Sequence, residues 1–270
     1  MSRRARLDTE LVRRGLVESR AEAQDAIAAG QVLVGGRVAD KPATMVGADE
    51  PLRLTADRPF VSRGGTKLDG ALARLDVAVA GRRWLDAGAS TGGFTDKLLQ
   101  DGAAAVVAVD VGYGQLDWKL RNDERVTVLE RVNVRDLAAG DLPFTPDAAA
   151  ADLSFISLTT VLPALTGVVA PDGDLLLLVK PQFEVGRGGV GRRGVVRDPA
   201  LWHFAVSKVV VVAEQIGWGL VRAVPSEPPG PAGNREFFVH LRRDASSDTP
   251  SIESAVGEAA QSAAAARGEE

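Results

Sequence analysis

A glycine-rich turn and a carboxylate on the strand after it form the first pattern in this sequence that could do chemistry. The turn is the segment Asp86-Ala-Gly-Ala-Ser-Thr-Gly-Gly-Phe, and Asp110 ends the next apolar stretch. Glycines at the start of a helix let backbone N–H groups approach a ligand, and a carboxylate about 20 residues further on accepts hydrogen bonds from ribose hydroxyls. This spacing favours a cofactor that contains a nucleoside.

Other interpretations of the same turn remain open. In a dinucleotide-binding dehydrogenase the second glycine admits the pyrophosphate, but Ser90 occupies that position. Gly88-Ala-Ser-Thr-Gly92 also fits the nucleophile elbow of a hydrolase, although too few residues of the domain precede it. A structural turn without a ligand is the remaining possibility. Because S-adenosylmethionine carries no phosphate, its amino-acid end tolerates a tighter loop, and a methyltransferase is the favoured interpretation.

Charged residues also close two of the most apolar stretches of the chain. Asp152 follows a run of alanines, and Lys180 follows a run of leucines that ends in valine. The carboxyl ends of strands in an α/β sheet face the ligand crevice, so both side chains suit a site there. A lysine that closes a buried strand is unusual without a role. For Asp152, an ordinary strand terminus is the less favoured alternative.

The composition is that of a soluble globular protein and excludes several kinds of site. Hydrophobic residues make up 45% and charged residues 25% of the 270 residues, while aromatic residues make up only 5%. The chain contains no cysteine, and its two histidines, His203 and His240, are predicted to be structural. A thiolate nucleophile, a disulfide framework and a histidine-rich metal site are therefore excluded, and we predict no metal.

The distribution of charge matters more than the net charge of -4. Acidic residues concentrate beyond Arg243, whereas arginines dominate the first part of the chain. A basic leading segment can contact phosphates even in an acidic protein, although a solvated helix face is the alternative. No apolar run approaches the ~20 residues that span a bilayer, and no secretory signal is visible. We therefore expect a cytosolic protein without a membrane partner.

Residues 1–57 are predicted to form a small α+β unit of two helices, a hairpin and a further strand. Leu7, Leu11 and Val12 form an apolar helical face, and Ser19 and Glu22 form a capping box at the start of a second helix, which Gly30 ends. Gly35-Gly36 is the turn of a hairpin, and Pro51–Thr55 is a further short strand. So small a unit has too little core for a catalytic body. It is predicted to be an adaptor.

The remainder of the chain alternates strands and helices, which predicts an α/β fold with a doubly wound, mostly parallel sheet. The predicted strands are Arg83–Ala87, Ala104–Asp110, Val126–Leu129, Ala148–Asp152, Asp174–Lys180 and Glu236–Leu241, and the predicted helices are Gly93–Gln100, Leu158–Val169 and Trp202–Ile216. We place an interdomain linker at residues 58–66 and the α/β domain at residues 67–243. Residues 244–270 form an Ala- and Glu-rich tail, predicted to be frayed helix or disorder.

Seven short segments, in order along the chain, carry a family resemblance. They are Arg6-Leu-Asp-Thr-Glu-Leu-Val-Arg-Arg-Gly-Leu with Ser19-Arg20, Val61-Ser-Arg-Gly-Gly-Thr-Lys-Leu, Asp86-Ala-Gly-Ala-Ser-Thr-Gly-Gly-Phe, Val111-Gly-Tyr-Gly-Gln-Leu, Asp152-Leu-Ser-Phe-Ile-Ser-Leu, Val179-Lys-Pro-Gln-Phe-Glu and Gly233-Asn-Arg-Glu-Phe. Together they resemble the TlyA (haemolysin A-like) family, in which an S4 RNA-binding domain precedes an FtsJ-like, Rossmann-like methyltransferase that uses S-adenosylmethionine. The resemblance leaves only the tail outside, and it departs at Phe60, where the family has Trp or Tyr.

The resemblance implies which residues form the site. FtsJ-like enzymes that methylate ribose 2′-hydroxyls use a Lys-Asp-Lys-Glu tetrad, which the matching motifs assign to Lys67, Asp152, Lys180 and Glu236, with Lys180 as the general base. From the sequence alone, Lys67 and Glu236 would be assigned to the surface. The implied cofactor contacts are Gly88, Ser90 and Gly92 at the methionine moiety, Asp110 at the ribose, Asp136 at the adenine amino group and Phe155 near the methyl group or the target base. Without the resemblance, Phe155 would be predicted to lie in the core.

The resemblance also implies the substrate, which is the ribose 2′-hydroxyl of cytidines in ribosomal RNA. The residues expected to contact RNA phosphates are Arg4, Arg6, Arg20 and Lys41. Two alternatives are a non-catalytic rRNA-binding assembly factor, which a complete tetrad opposes, and a membrane-active haemolysin, which the absence of a membrane-seeking segment opposes. The modified nucleotide and the oligomeric state stay open.

Overall fold

The computed structural model describes residues 4–28, 31–39, 41–54, 59–191 and 194–268. The chain divides into two compact units, Met1–Arg58 and Pro59–Glu270. The second unit therefore begins before the predicted linker ends. We describe each unit by itself.

The first unit combines two helices with two small sheets. Its elements are β1 (Arg4–Arg6), α1 (Leu7–Arg13), α2 (Arg20–Ala28), β2 (Val32–Val34), β3 (Arg37–Val38), β4 (Met45–Gly47) and β5 (Leu52–Leu54). Strands β1 and β4 form an antiparallel pair, and the other three form a sheet in the order β3-β2-β5. The strands β1 and β4 were not expected from the sequence.

Local signals in the sequence explain most of the first unit. Gly35 and Gly36 both have positive φ angles, which is what a two-residue hairpin turn requires. The Ser19 hydroxyl accepts a hydrogen bond from the Glu22 N–H at 3.2 Å, while the Glu22 carboxylate reaches the N–H of Glu18 instead of that of Ser19. The predicted helix end at Gly30 lies outside the described residues.

The second unit is built around a seven-stranded sheet. Its strands are β6 (Arg83–Ala87), β7 (Ala105–Asp110), β8 (Val126–Glu130), β9 (Ala148–Ala151), β10 (Asp174–Val179), β11 (Trp218–Ser226) and β12 (Glu236–Arg243). Its helices are α3 (Arg63–Leu75), α4 (Gly93–Gln100), α5 (Trp118–Arg121), α6 (Leu158–Val168), α7 (Pro181–Glu184), α8 (Pro199–Gln215) and α9 (Pro250–Gly268). Short 3₁₀ turns cover Val134–Asp136, Ala139–Asp141 and Arg187–Gly189.

The sheet is mostly parallel, as predicted. Its strand order is β11-β12-β10-β9-β6-β7-β8, and the five strands from β10 to β8 are parallel to one another. Strand β12 runs antiparallel between β10 and β11. Every predicted strand and helix of this unit is present, with bounds that differ by at most three residues. Only β11 was not expected among the strands.

Helices cover both faces of the sheet. Alternate residues of β10 pack into different buried clusters: Leu175, Leu177 and Val179 lie in one, and Leu176 and Leu178 in the other. The first cluster includes residues of α6, α8 and α9, and the second includes residues of α3 and α4. The strand β9 consists of four fully buried alanines, whose small side chains allow close packing on both faces.

Two helices extend into segments that the sequence assigned to the linker and the tail. Helix α3 begins at Arg63, inside the predicted linker, because Gly64 and Gly65 let the helix approach α4 and Phe60 closely. The tail is neither frayed nor disordered from Pro250 to Gly268, because Ile252, Ala255 and Ala259 of α9 are buried in the core. A helix whose apolar side chains recur at this spacing gains stability from packing.

Candidate active site

The site lies at the edge of the sheet where the parallel strands end. Asp110 ends β7, and Asp152 and Lys180 directly follow β9 and β10. Because β12 is antiparallel, its first residue, Glu236, reaches the same edge: Phe237 pairs with Val179 in register. Glu236, at the start of β12, therefore lies at the same end of the sheet as Asp152 and Lys180, which follow the ends of parallel strands.

The glycine-rich turn is shaped by packing as well as by backbone conformation. Gly88 and Gly92 have φ angles of 88° and 97°, and Ser90, the residue between them, also has a positive φ of 48°. A Cβ atom on Gly88 would lie 2.5 Å from the Asp152 carbonyl oxygen, and one on Gly92 would collide with Leu120. Both positions therefore require glycine whether or not a ligand is bound.

Asp110 fixes the loops on either side of it. One carboxylate oxygen accepts a hydrogen bond from the Ser90 N–H at 2.8 Å, and the other accepts one from the Gly112 N–H at 2.6 Å. The residue is half-buried, so acceptor capacity remains at the crevice. Asp136 lies on an exposed 3₁₀ turn, where its carboxylate is 3.4 Å from the Arg135 guanidinium.

Asp86, the first residue of the segment that contains the glycine-rich turn, is a buried acid in β6. Sequence reasoning did not assign it to the site. Its Oδ2 atom accepts hydrogen bonds from the Thr95 hydroxyl at 2.6 Å and the Thr95 N–H at 2.9 Å. Its Oδ1 atom is buried and has no hydrogen-bond partner among the described residues. Burial raises the pKa of Asp86 to about 7, although the hydrogen bonds from Thr95 oppose this shift.

Lys180 and Asp152 form an ion pair at the sheet edge. The ammonium of Lys180 lies 2.5 Å from the Asp152 carboxylate and donates a hydrogen bond to the Ser154 hydroxyl at 2.9 Å. Only 11% of the Lys180 side chain is exposed, so the pair is partly shielded from water. Ser154 belongs to a segment that the sequence singled out, but its contact with Lys180 was not expected.

Lys67 and Glu236 form a second pair, and both side chains are buried. Their charged atoms are 2.5 Å apart, and the exposed fractions are 7% for Lys67 and 2% for Glu236. An assignment to the surface, which the sequence alone favours, is therefore wrong for both residues. Each charge in this environment needs its partner, since an unpaired buried charge is strongly destabilising.

Phe155 is a surface residue and not part of the core. Its side chain is 92% exposed, and its φ angle of 63° is unusual for an aromatic residue. Its ring lies 5.3 Å from that of Phe183, in the helix that follows Lys180. Aromatic side chains held in solvent beside a site are binding candidates.

The arginines predicted to contact RNA are exposed on the first unit. Arg6 makes two hydrogen bonds of 3.0 Å to the buried carboxylate of Asp8, and Arg20 makes one of 2.8 Å to the same group. The hydrogen bond from Arg6, supported by Arg20, holds the pKa of Asp8 well below its usual range. Arg4 and Lys41 are exposed as well. Asp8 therefore holds two guanidinium groups together at the surface.

The two histidines lie apart from these groups. His240 is buried and pairs with Asp174 at 2.6 Å, where β10 begins, while His203 is exposed and lies 3.4 Å from the Ser207 hydroxyl. Within the described ranges, we find no group of acids and histidines that could hold a metal ion. Nor does this part of the chain contain a helix with the length and apolar character needed to span a bilayer.

Comparison with known proteins identifies the two units. The FtsJ-like methyltransferase family matches residues 60–243, and the S4 domain family matches residues 5–52. A relative from Mycobacterium tuberculosis, the 16S/23S rRNA (cytidine-2'-O)-methyltransferase TlyA, is 56% identical over 244 residues, which cover 90% of this chain and 91% of the relative.

Solved structures agree with this family match. A candidate hemolysin from Streptococcus thermophilus is 38% identical, with a TM-score of 0.79 and complete coverage of both chains. A candidate S-adenosylmethionine-dependent methyltransferase from Listeria monocytogenes, only 12% identical, covers 67% of this chain and 98% of its own with a TM-score of 0.51, which shows the fold alone. The resemblance found in the seven segments is thus confirmed, and the chain belongs to the FtsJ-like methyltransferase family, in the TlyA-like group that joins an S4 domain to the methyltransferase unit.

Proposed function

We propose that this protein transfers a methyl group from S-adenosylmethionine to the ribose 2′-hydroxyl of cytidines in ribosomal RNA. The observation that carries the proposal is the Lys180–Asp152 ion pair of 2.5 Å beside the buried Lys67–Glu236 pair, at the sheet edge where ligands bind in this fold. These four residues match the tetrad of FtsJ-like 2′-O-methyltransferases. The name of the relative from Mycobacterium tuberculosis supports the choice of rRNA cytidine as substrate.

The residues around the glycine-rich turn fit S-adenosylmethionine. Asp110 offers carboxylate oxygens to ribose hydroxyls while it holds the turn through Ser90. The unpaired, buried Oδ1 atom of Asp86 marks a polar position beneath the same turn, as expected for a cofactor with an amino group. Gly88 and Gly92 would line the methionine moiety, and Asp136, which is exposed, would meet the adenine amino group. When bound, the cofactor supplies an electrophilic methyl group.

The proposed chemistry assigns one task to each charged residue. A ribose 2′-hydroxyl is a very weak acid, so its proton must be taken up as the oxygen attacks the methyl group. The Lys180 ammonium first releases a proton to solvent. Its free amine then accepts the 2′-hydroxyl proton at Nζ, and the Asp152 carboxylate stabilises the ammonium that forms again. The Lys67–Glu236 pair is neutral overall and buried, so it holds this edge of the site rigid and orients the sugar.

Phe155 is proposed to contact the target nucleotide. It is too exposed to be explained by packing, and its ring pairs with that of Phe183, beside Lys180. A base that leaves its stack to present its ribose regains stacking on an aromatic face. The arginines of the S4 unit, Arg6 and Arg20 among them, would contact RNA phosphates, which carry no sequence information but fix the register of the enzyme.

The test of the proposal is the Lys180→Met variant in single-turnover methylation of an rRNA fragment, at saturating cofactor and RNA. Methionine keeps much of the lysine stem but cannot accept a proton, so the rate should fall at least about 100-fold. Affinities for cofactor and RNA, measured by calorimetry and filter binding, should change little because Lys180 acts in the transition state.

Lys97→Met is the matched control. Lys97 is equally buried, with 11% of its side chain exposed, and it pairs with Asp69 at 2.5 Å, yet it lies in α4 and has no proposed role in catalysis. Its rate should equal that of the parent. A Lys180→Met rate within tenfold of the parent would show that Lys180 is not the base, and absence of methylation by the parent would favour an assembly factor that only binds rRNA.

A further inference from the structure

Glu184 is a buried carboxylate that the proposed reaction does not use. It ends α7, four positions after Lys180, and only 4% of its surface is exposed. Its carboxylate accepts hydrogen bonds from the Leu158 N–H at 2.7 Å and from the Ser157 hydroxyl at 2.5 Å. The helix that follows Lys180 is thereby tied to the start of α6.

The segment between Asp152 and α6 is consequently held at both ends. Toward its beginning, Lys180 contacts Asp152 and Ser154; at its end, Glu184 holds Ser157. Phe155 lies between these anchors with a φ angle of 63°. Backbone strain of this kind persists only where the surrounding structure imposes it, and here two sets of contacts from residues 180–184 do so.

Lys208 of α8 completes the anchorage of Glu184. Its ammonium donates a hydrogen bond to the Glu184 carbonyl oxygen at 2.9 Å and lies 3.4 Å from the carboxylate. A buried carboxylate is costly unless it is paired, and Lys208 supplies the opposite charge beside Glu184. Three elements, α6, α7 and α8, therefore meet at this side chain.

We infer that Glu184 is a positioning residue for methyl transfer. Its carboxylate fixes the segment 152–157 against α7, so that Asp152 and Ser154 stay in contact with Lys180 and Phe155 keeps its strained conformation. The inference rests on the proposed function. Reactions that depend on alignment are sensitive to displacements of about 1 Å, so loosening this segment should slow the chemical step.

A purely structural role predicts a different result. A carboxylate at a helix N-terminus also caps the helix, so loss of stability alone would not distinguish the two roles. A positioning role has two further signatures. One is a lower rate at saturating substrates in folded protein. The other is non-additivity with a change at Ser154, which contacts Lys180 from the segment that Glu184 holds.

The experiment compares Glu184→Gln, Ser154→Ala and the double variant in single-turnover methylation of the rRNA fragment. Glutamine keeps the shape of the side chain but removes the charge. We expect Glu184→Gln to be about 10- to 100-fold slower, with nearly unchanged cofactor and RNA affinity and a parental circular dichroism spectrum. The double variant should lose much less than the product of the two single losses.

Asp174→Asn is the control for loss of a buried, paired carboxylate. Asp174 is 7% exposed and pairs with His240 and Arg82, but it lies at the start of β10, the opposite end of the strand from Lys180. It should lower stability without slowing the folded enzyme. If Glu184→Gln does not fold, Ser157→Ala, which removes one hydrogen bond to Glu184, replaces it in the same comparison with Ser154→Ala.

The outcomes separate this inference from the proposed function. A parental rate for Glu184→Gln, or losses that multiply in the double variant, would overturn the positioning role while leaving the reaction itself intact. A parental rate for Lys180→Met would instead contradict the proposed base, whatever Glu184 does.

Discussion

At the scale of single residues, the site is a set of acids that sit in very different surroundings. Asp152 pairs with an ammonium, Asp110 accepts two backbone N–H groups, and Asp86 is buried without a cation. Asp86 is buried without a cation, which favours its neutral acid and raises its pKa.

Asp86→Asn is expected to change how stability depends on pH. The folded protein keeps the proton of Asp86 up to about pH 7, whereas the unfolded chain releases it near the ordinary aspartate pKa of 3.8. Asp86 therefore makes the free energy of unfolding decrease as pH rises from about 4 to 7, by on the order of 4 kcal/mol, and has no further effect above that range. Urea denaturation between pH 4 and 8 should show that the variant lacks this decrease.

Asp174→Asn serves as the control, because the pKa of Asp174 is shifted in the opposite direction to that of Asp86. Burial alone would raise the pKa of Asp174, but hydrogen bonds from His240 and Arg82 outweigh burial and lower it. Its stabilisation is therefore present above the unfolded pKa and is lost only as the solution becomes more acidic. An identical pH profile for the parent and Asp86→Asn would contradict a raised pKa of Asp86.

The sequence identified residues at strand ends better than residues that act through contacts. Asp152 and Lys180 follow apolar runs, so their place at the crevice was predictable. Nothing local distinguishes Lys67 or Glu236 from a surface charge, because their burial depends on a partner 169 positions away. Glu184 ends the segment Val179-Lys-Pro-Gln-Phe-Glu, but no sequence pattern indicates its contacts with Ser157 and Leu158.

At the scale of elements, the parallel strands were predictable, whereas the antiparallel edge strand β11 was not. Buried strands consist of continuous apolar runs, whereas β11 is an edge strand that contains Gly219 and Pro225. An edge strand tolerates proline because one side of it makes no ladder hydrogen bonds. Ile252, Ala255 and Ala259 of α9 recur at helical spacing, which indicates an amphipathic helix. The apolar stripe is weak because alanine has a small side chain.

Ile252→Ala should therefore destabilise the methyltransferase unit. Ile252 is 3% exposed and packs in the same cluster as residues of α8 and β11. Removing its buried methyl and methylene groups should cost about 2–5 kcal/mol of unfolding free energy, measured by urea denaturation at constant pH. Ser254→Ala, an exposed position on the same helix, should change little. Equal stability of the two variants would show that α9 does not contribute to the core.

At the scale of the whole molecule, the proposed function assigns RNA binding to the S4 unit and methyl transfer to the other unit. The S4 unit offers Arg6 and Arg20, held by one buried carboxylate, and the proposed catalytic residues all belong to the other unit. Binding to RNA and binding to the cofactor should therefore respond to different substitutions.

Replacing Arg6 and Arg20 together by Gln should weaken RNA binding and flatten its salt dependence. Each lost phosphate contact should reduce the slope of log K against log salt by about 0.7–0.9. Cofactor affinity, measured by calorimetry, should be unchanged. A double variant of Arg13 and Arg37, two other exposed arginines of the unit, is the charge-matched control. An unchanged slope for the first variant would show that Arg6 and Arg20 serve only to neutralise Asp8.

The antiparallel insertion of β12 has a consequence for the chain during its synthesis. Glu236, the partner of Lys67, begins β12, which is the last strand along the chain although it lies second from one edge of the sheet. The two paired residues are 169 positions apart. Domains fold as units and emerge from the ribosome N-terminal part first. The S4 unit can thus be complete, and able to hold RNA, while the other unit still lacks its final strand. A growing chain would recognise RNA before it could modify it.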